Sequence, residues 1–362
     1  MSYRQRMTGT ATTWQGDAIV VGAGPAGCAT ATVLARHGRS VCVIDDGRRT
    51  SWPGETLPAG SGRVIDDVFG SHVLARHDRA YAVRAAWETP ELHVTDALLH
   101  PLGEGWLLDR RVFDTQARDA AVTAGAVVLD GHAAIERDGV SGWVAHVGGQ
   151  TVRASLLIDA TGRTASIARR NGARGEQASR LLACIVVVPD RGDGVQATTV
   201  ESVSEGWWYS TPTPSGGRVL ALVSDAELVP RGDDRNRWWL DSLRATGHIR
   251  SLLPAGAVDD AIVRTMTLSQ AGTGWLAERH GPGWVAVGDA AAHFDPLSSQ
   301  GLLTGILMGA RAGQSIVEDS LETWSVDYRI LIDEHQALAR HYYRLVDRWP
   351  DSPFWSHRAR TG

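Results

Sequence analysis

A hexapeptide near the start of the chain, Gly22-Ala23-Gly24-Pro25-Ala26-Gly27, has the residue types that let a backbone wrap a phosphate. Gly22 permits a tight turn, Gly24 lets the main chain approach a pyrophosphate, and Gly27 lets a helix sit close on a strand. A helix opened by Pro25 and Ala26 aims free N–H groups and positive potential at the phosphates. Asp45 stands where a carboxylate accepts from a ribose hydroxyl. The elements that must hold these residues are legible around them: a β-rich run over 18–21, a helical stretch ending at Gly38, and a second β-rich run over 41–44. This βαβ pattern distinguishes the motif from a chance glycine turn. It predicts dinucleotide binding without separating NAD from FAD.

Much further along, Trp284-Val285-Ala286-Val287-Gly288-Asp289-Ala290 places an acid directly after a run that reads as a buried strand. A helix N-cap is the ordinary use of such an aspartate and is compatible with a ligand role. Three more stretches accompany it: Leu108-Asp109-Arg110-Arg111-Val112-Phe113-Asp114, Leu157-Ile158-Asp159-Ala160-Thr161-Gly162-Arg163, and Asp295-Pro296-Leu297-Ser298-Ser299-Gln300-Gly301. The last opens a helix whose amides stabilise negative charge. On these residues the chain resembles, from about residue 16 to 318, the FAD-dependent oxidoreductases that include aromatic-ring monooxygenases and flavin-dependent halogenases. Gly54-Glu55-Thr56-Leu57-Pro58, the 158–163 segment, the 201–210 segment and 295–301 look most like the LodB-type flavoproteins. Those are implicated in hydroxylating a Trp of a partner oxidase while its tryptophylquinone is made.

The resemblance implies FAD as cofactor. It places Gly288 and Asp289 on the ribityl and pyrophosphate portion, Gly162 close to the flavin, and Arg110 or Arg111 at a phosphate or the flavin edge. Pro296, Ser299, Gln300 and Gly301 fall at flavin N1 and O2. It also implies that reduced FAD meets oxygen in a dry cavity and forms a C4a-hydroperoxide that attacks an electron-rich ring. Trp207, Trp208 and Tyr209 are candidates for the walls of that cavity; in a strand, Trp207 and Tyr209 share one face and Trp208 takes the other. His293 is a candidate for moving protons, against the plainer reading of a loop histidine with satisfied hydrogen bonds. Glu55 is either a cofactor contact, an acid, or a turn-capping carboxylate.

Two departures narrow the chemistry. The chain contains no lysine, whereas the halogenases use one to deliver hypohalous acid, so halogenation is disfavoured. Thr161-Gly162 stands where self-sufficient monooxygenases carry an Asp-Gly pair associated with NADPH, and no second glycine fingerprint is present. A separate flavin reductase, or another electron donor, is therefore the expected partner. The expected substrate is an aromatic small molecule or a partner protein or peptide. A flavin-dependent reductase of double bonds and a non-catalytic flavoprotein chaperone of partner maturation are the alternative readings.

Composition agrees with an ordinary globular enzyme: 362 residues, 43% hydrophobic and 21% charged, with a formal net charge of -5 that offers nucleic acid no basic field. Fourteen tryptophans are unusual. Cys28, Cys42 and Cys184 lack ligand spacing and read as reduced core residues, and no metal motif is present. No run has the length and apolarity of a membrane span, so a cytoplasmic protein is expected. The predicted fold class is α/β: a Rossmann-like FAD-binding domain of the p-hydroxybenzoate hydroxylase type, an antiparallel-sheet substrate domain and C-terminal helices. The expected division is an N-terminal tail 1–16, an FAD-binding domain 17–174 and 276–318, a substrate domain 175–275, and a helical tail 319–362.

Overall fold

The computed structural model describes residues 13–48, 53–97, 100–139, 142–191, 194 and 196–360. Residues 1–12 of the expected tail lie outside these, while 13–16 open the strand Thr13–Val21. That strand is central in a sheet because 18–20 form an unbroken apolar run, buried on both faces. It pairs in parallel with Val41–Asp45 on one side and with Gln150–Asp159 on the other. Val127–Asp130 extends the first side and Trp284–Ala286 the second, both in parallel. Strand order therefore reverses across Thr13–Val21, and a crevice opens beyond its carboxyl end.

Helix α1 (Pro25–Arg36) follows this strand, and α2 (Arg110–Ala124) is started by the Asp109 carboxylate, which accepts from the N–H of Arg111 and Val112. A second sheet runs in the order 267–270, 181–189, 217–225, 206–212, 197–203, 82–86, 93–96. The last two strands come from a region that the sequence division had assigned to the first domain. Ala82–Ala86 pairs with Ala197–Val203 in parallel, a long-range match that no local pattern announces. In strand Gly206–Pro212 the side chains alternate as strand geometry requires. Trp208 packs under α3 (Asp233–Ala245), 4.8 Å from the Trp239 ring, and donates to Ser242 Oγ at 3.1 Å. Trp207 and Tyr209 take the opposite face, toward the crevice.

Helix α4 (Gly301–Glu318) lies along α1 with small residues between them. A Cβ on Gly309 would fall 2.5 Å from the Ala26 carbonyl oxygen, and Thr30 Oγ1 donates to the Gly309 carbonyl at 2.8 Å. The close approach brings the N-termini of α1 and α4 to the same end of the sheet. Helices α5 (Leu321–Arg344) and α6 (Pro353–Arg360) are the expected C-terminal helices, and both are built into the body. Trp324, Tyr328 and Ile332, one face of α5 at four-residue spacing, belong to the main core. Tyr343, Phe354 and Trp355 pack with the second sheet. Helix α6 is too short for its two apolar residues to show a period.

All three cysteines are buried and none forms a disulfide. Burial pushes the thiols of Cys42 and Cys184 up to about 12, and burial likewise pushes the Tyr209 phenol up to about 12. In the unfolded chain these groups ionise near their ordinary values, so above them the native state holds the more protons and stability falls as pH rises. Urea midpoints taken between pH 8 and 11.5 should hold near pH 8 and decline from about pH 9 upward, where the unfolded thiols ionise. A flat profile throughout would show that these groups are not shielded from water.

Candidate active site

A cleft of about 520 Å³ opens where the carboxyl ends of strands Thr13–Val21 and Gln150–Asp159 meet the N-termini of α1 and α4 and one face of the second sheet. Gly24 is the N-cap of α1, Pro25 follows, and no side chain caps that end. The amide of Cys28 bonds the Gly24 carbonyl at 2.9 Å, so the amides before it face the cleft for a ligand to use. Steric tests separate the three glycines. A Cβ on Gly22, where φ is 105°, would sit 2.2 Å from the Ala160 oxygen, and one on Gly27 2.2 Å from the Gly22 oxygen. A Cβ on Gly24 meets nothing within 4 Å. Gly22 and Gly27 are thus needed by the fold, and Gly24 is left for whatever fills the cleft.

The other wall repeats this chemistry. Asp295 accepts from the Leu297 amide at 3.0 Å and starts a single turn over 296–298, Ser299 takes a left-handed φ of 51°, and α4 begins without a side-chain cap at Gln300. Two uncapped helix ends converge on one cleft, which suits a ligand with pyrophosphate and an anionic ring edge. Strand Gln150–Asp159 ends in a buried carboxylate that the sequence reading passed over. Asp159 Oδ1 accepts from the Thr161 amide and hydroxyl at 3.0 and 2.6 Å, and Oδ2 from the Ile167 and Ala168 amides at 3.0 and 2.8 Å. It fixes the turn that carries Thr161, Gly162 and Arg163 into the cleft. Arg163 Nε lies 3.4 Å from Asp289, and the hydroxyl of Tyr328 donates to the Gly288 carbonyl at 3.2 Å.

On the opposite side, Glu55 pairs with Arg110, and Asp114 contacts the same guanidinium at 3.2 Å. Burial disfavours the charge on Arg110, but the two carboxylates outweigh it and hold the group above its ordinary range. Arg111 is exposed, so of the two arginines Arg110 is the one in the cleft. Tyr209 reaches Thr56 Oγ1 at 3.1 Å, and Thr56 also meets Thr198 at 3.1 Å. Trp207, 1% exposed, donates its indole N–H to the Tyr343 hydroxyl at 3.0 Å, and Tyr343 donates to Asp295 at 2.7 Å. Burial raises the Asp295 carboxyl above the usual range, with the Leu297 amide and Tyr343 hydroxyl opposing it.

Of the residues singled out from sequence, Gly24, Ala26, Gly27, Glu55, Arg110, Gly162, Trp207, Tyr209, Gly288, Asp289, Pro296, Ser299 and Gly301 line the cleft. Gly22, Asp45, His293 and Gln300 do not. Gly22 is turned against Ala160, and Asp45 ends the neighbouring strand Val41–Asp45. His293 fits the plainer reading rather than proton transfer: its Nδ1 lies 2.7 Å from the Gly272 carbonyl and 3.1 Å from Arg163. Burial, reinforced by Arg163, lowers its basicity and keeps the ring neutral. Thr56 and Tyr343 were missed because neither has a local signal.

The chain is an FAD-dependent oxidoreductase, and its fold is similar to that of the aromatic-ring monooxygenases and flavin-dependent halogenases. A family profile described as lycopene cyclase protein matches residues 17–179. LodB of Marinomonas mediterranea, named as an FAD-dependent oxidoreductase, is 24% identical over 94% of this chain and 96% of its own length. Menaquinone reductase of Mycolicibacterium smegmatis is 26% identical over 89% of this chain and 81% of its own. Among solved structures, the peptidyl tryptophan dihydroxylase QhpG, essential for tryptophylquinone cofactor biogenesis, superposes with a TM-score of 0.79 at 23% identity, covering 95% of this chain and 79% of its own. No helix among the described residues is long and apolar enough to cross a membrane.

Proposed function

We propose that this FAD-dependent oxidoreductase hydroxylates an electron-rich indole, presented as a tryptophan in a peptide or partner protein, with reducing equivalents supplied by a separate reductase. The observation that carries the reading is the aromatic wall of Trp207 and Tyr209 facing two uncapped helix ends across one cleft. On this reading Gly24, Ala26, Gly27, Asp289 and Gly301 hold FAD, which when bound supplies the redox step. Glu55 and Arg110 face the same space, with Arg110 fixed by two carboxylates so that its charge stays in place. Trp207 and Tyr209 exclude water and orient the ring. Thr56 holds the Tyr209 phenol, whose burial keeps it protonated and a hydrogen-bond donor across the neutral range. The similarity to QhpG, a peptidyl tryptophan dihydroxylase, supports a Trp-bearing polypeptide over a free small molecule.

The test supplies FAD-loaded protein with a flavin reductase, NADH, oxygen and Trp-containing peptides, and reads product mass. Gain of oxygen on an indole is expected. Gain of two hydrogens on a quinone or polyprenyl substrate would instead favour the reductase reading, which the menaquinone reductase relative supports. Omitting the separate reductase in an anaerobic mixture with NADPH or NADH should leave the flavin oxidised; rapid bleaching overturns the need for that partner.

A further inference from the structure

Four of the tryptophans form a line that cleft shape alone does not require. Trp207 lines the cleft, its ring 6.2 Å from Trp87; Trp87 lies 5.7 Å from Trp355, and Trp355 6.0 Å from Trp349, centroid to centroid. At such separations ring edges are close to contact. Electron tunnelling weakens exponentially with the gap, so an electron moves readily between these neighbours and poorly along routes that miss them. The first three rings are buried and Trp349 is partly exposed. They come from three distant parts of the chain, so no single amphipathic element produces the order.

The polar surroundings differ along the line. Trp207 donates its N–H to Tyr343, Trp87 donates to the Tyr342 carbonyl at 2.7 Å, and Trp355 donates to the Val203 carbonyl at 2.7 Å. None of the three donates to a carboxylate, so an indole that loses an electron there keeps its proton and the charge passes on. At Trp349 the Arg348 guanidinium lies 4.3 Å over the ring and opposes a positive charge, while neighbouring water can take the proton. The charge is therefore discharged at the surface. Tyr343, 6.0 Å from both Trp87 and Trp355, is a side branch whose proton can pass to Asp295.

We propose that Trp207, Trp87, Trp355 and Trp349 form a conduit for single electrons between the cleft and the surface; the role rests on flavin occupying the cleft. A one-electron oxidant in the cleft, for which photo-excited oxidised flavin serves as the probe, takes one electron from Trp207 and is reduced by one. Trp207 is refilled from Trp87, Trp87 from Trp355, and Trp355 from Trp349, which releases its N–H proton to water. An external thiol gives a hydrogen atom back to Trp349 and becomes a thiyl radical. The conduit discharges an oxidant that finds no substrate before it damages the cleft.

The experiment illuminates the FAD-loaded full chain with blue light, without oxygen and with excess thiol, and follows bleaching of the flavin. Trp355→Phe, which cuts the line away from the cleft, and Trp349→Phe, which removes its outlet, should each slow photoreduction several-fold, and Trp355→Tyr should recover part of the rate. Melting curves confirm that each variant is folded. Wild-type rates in both phenylalanine variants overturn the conduit. A cofactor-free reading uses ultraviolet photo-ionisation of the indoles followed by peptide mass mapping. Wild-type protein should concentrate oxidised indole at Trp349, and Trp355→Phe should leave it on Trp207 and Trp87; identical maps overturn the proposal. A chain that takes up no FAD defeats the cofactor reading, and the mapping then decides the conduit by itself.

Discussion

Replacing Gly24 by leucine should leave the apoprotein folded, with an unchanged melting temperature, while weakening FAD binding by about 100-fold, or about 2.7 kcal/mol. Apart from its two chain neighbours, nothing lies within 4 Å of a Cβ at this position, so the added side chain points into open space and enters the room a pyrophosphate needs. Gly22→Ala is the contrasting case. Its φ of 105° and the Ala160 oxygen 2.2 Å from the new Cβ make the change a strain on the fold itself, worth about 1–3 kcal/mol of stability. Titration of both apoproteins with FAD, alongside thermal melts, separates the two effects. Unaltered FAD affinity in the Gly24 variant would place the phosphates somewhere other than the α1 terminus.

The second large effect is expected at Asp159. This carboxylate is fully buried and accepts four hydrogen bonds, three of them from backbone amides. Asp159→Ala strands those amides in the interior at about 1–3 kcal/mol apiece, reduced where water can enter the space left behind. A loss of about 3 kcal/mol or more is expected in denaturant titration. Because the same carboxylate holds the turn carrying Gly162 and Arg163 into the cleft, bound FAD should be lost with it. Asp159→Asn keeps one acceptor oxygen and should recover part of the stability. A stable, FAD-loaded alanine variant would show that the turn is set by packing alone.

The glycine turn was legible because its function depends on backbone chemistry over six consecutive residues, and the alternation of Trp207, Trp208 and Tyr209 because strand geometry dictates it over three. Asp159 was quoted within a motif, yet its use as a double cap depends on amides at 167 and 168 that come within reach only once the turn has formed. His293 illustrates the opposite limit. Its spacing from Asp289 suggested a part in the chemistry, but the Gly272 carbonyl, in the connection between strands 267–270 and 274–276, takes up its ring nitrogen. The aromatic pair Phe354 and Trp355 had no period to reveal that it seals the second sheet.

The sequence by itself determined the glycine turn at the start of α1, the parallel βαβ core and the lack of any lysine for chemistry, because each depends on residue type or on neighbours close in the chain. Tertiary structure alone decided that Glu55 meets Arg110, that Tyr343 links Trp207 to Asp295, and that strands 82–86 and 93–96 complete the second sheet. The Glu55, Tyr343 and 82–86 contacts join residues tens to hundreds of positions apart, while 93–96 follows as the hairpin partner of 82–86. Such pairings are selected by which faces are buried together when the sheets and helices pack, a property of the assembled core rather than of any stretch of chain.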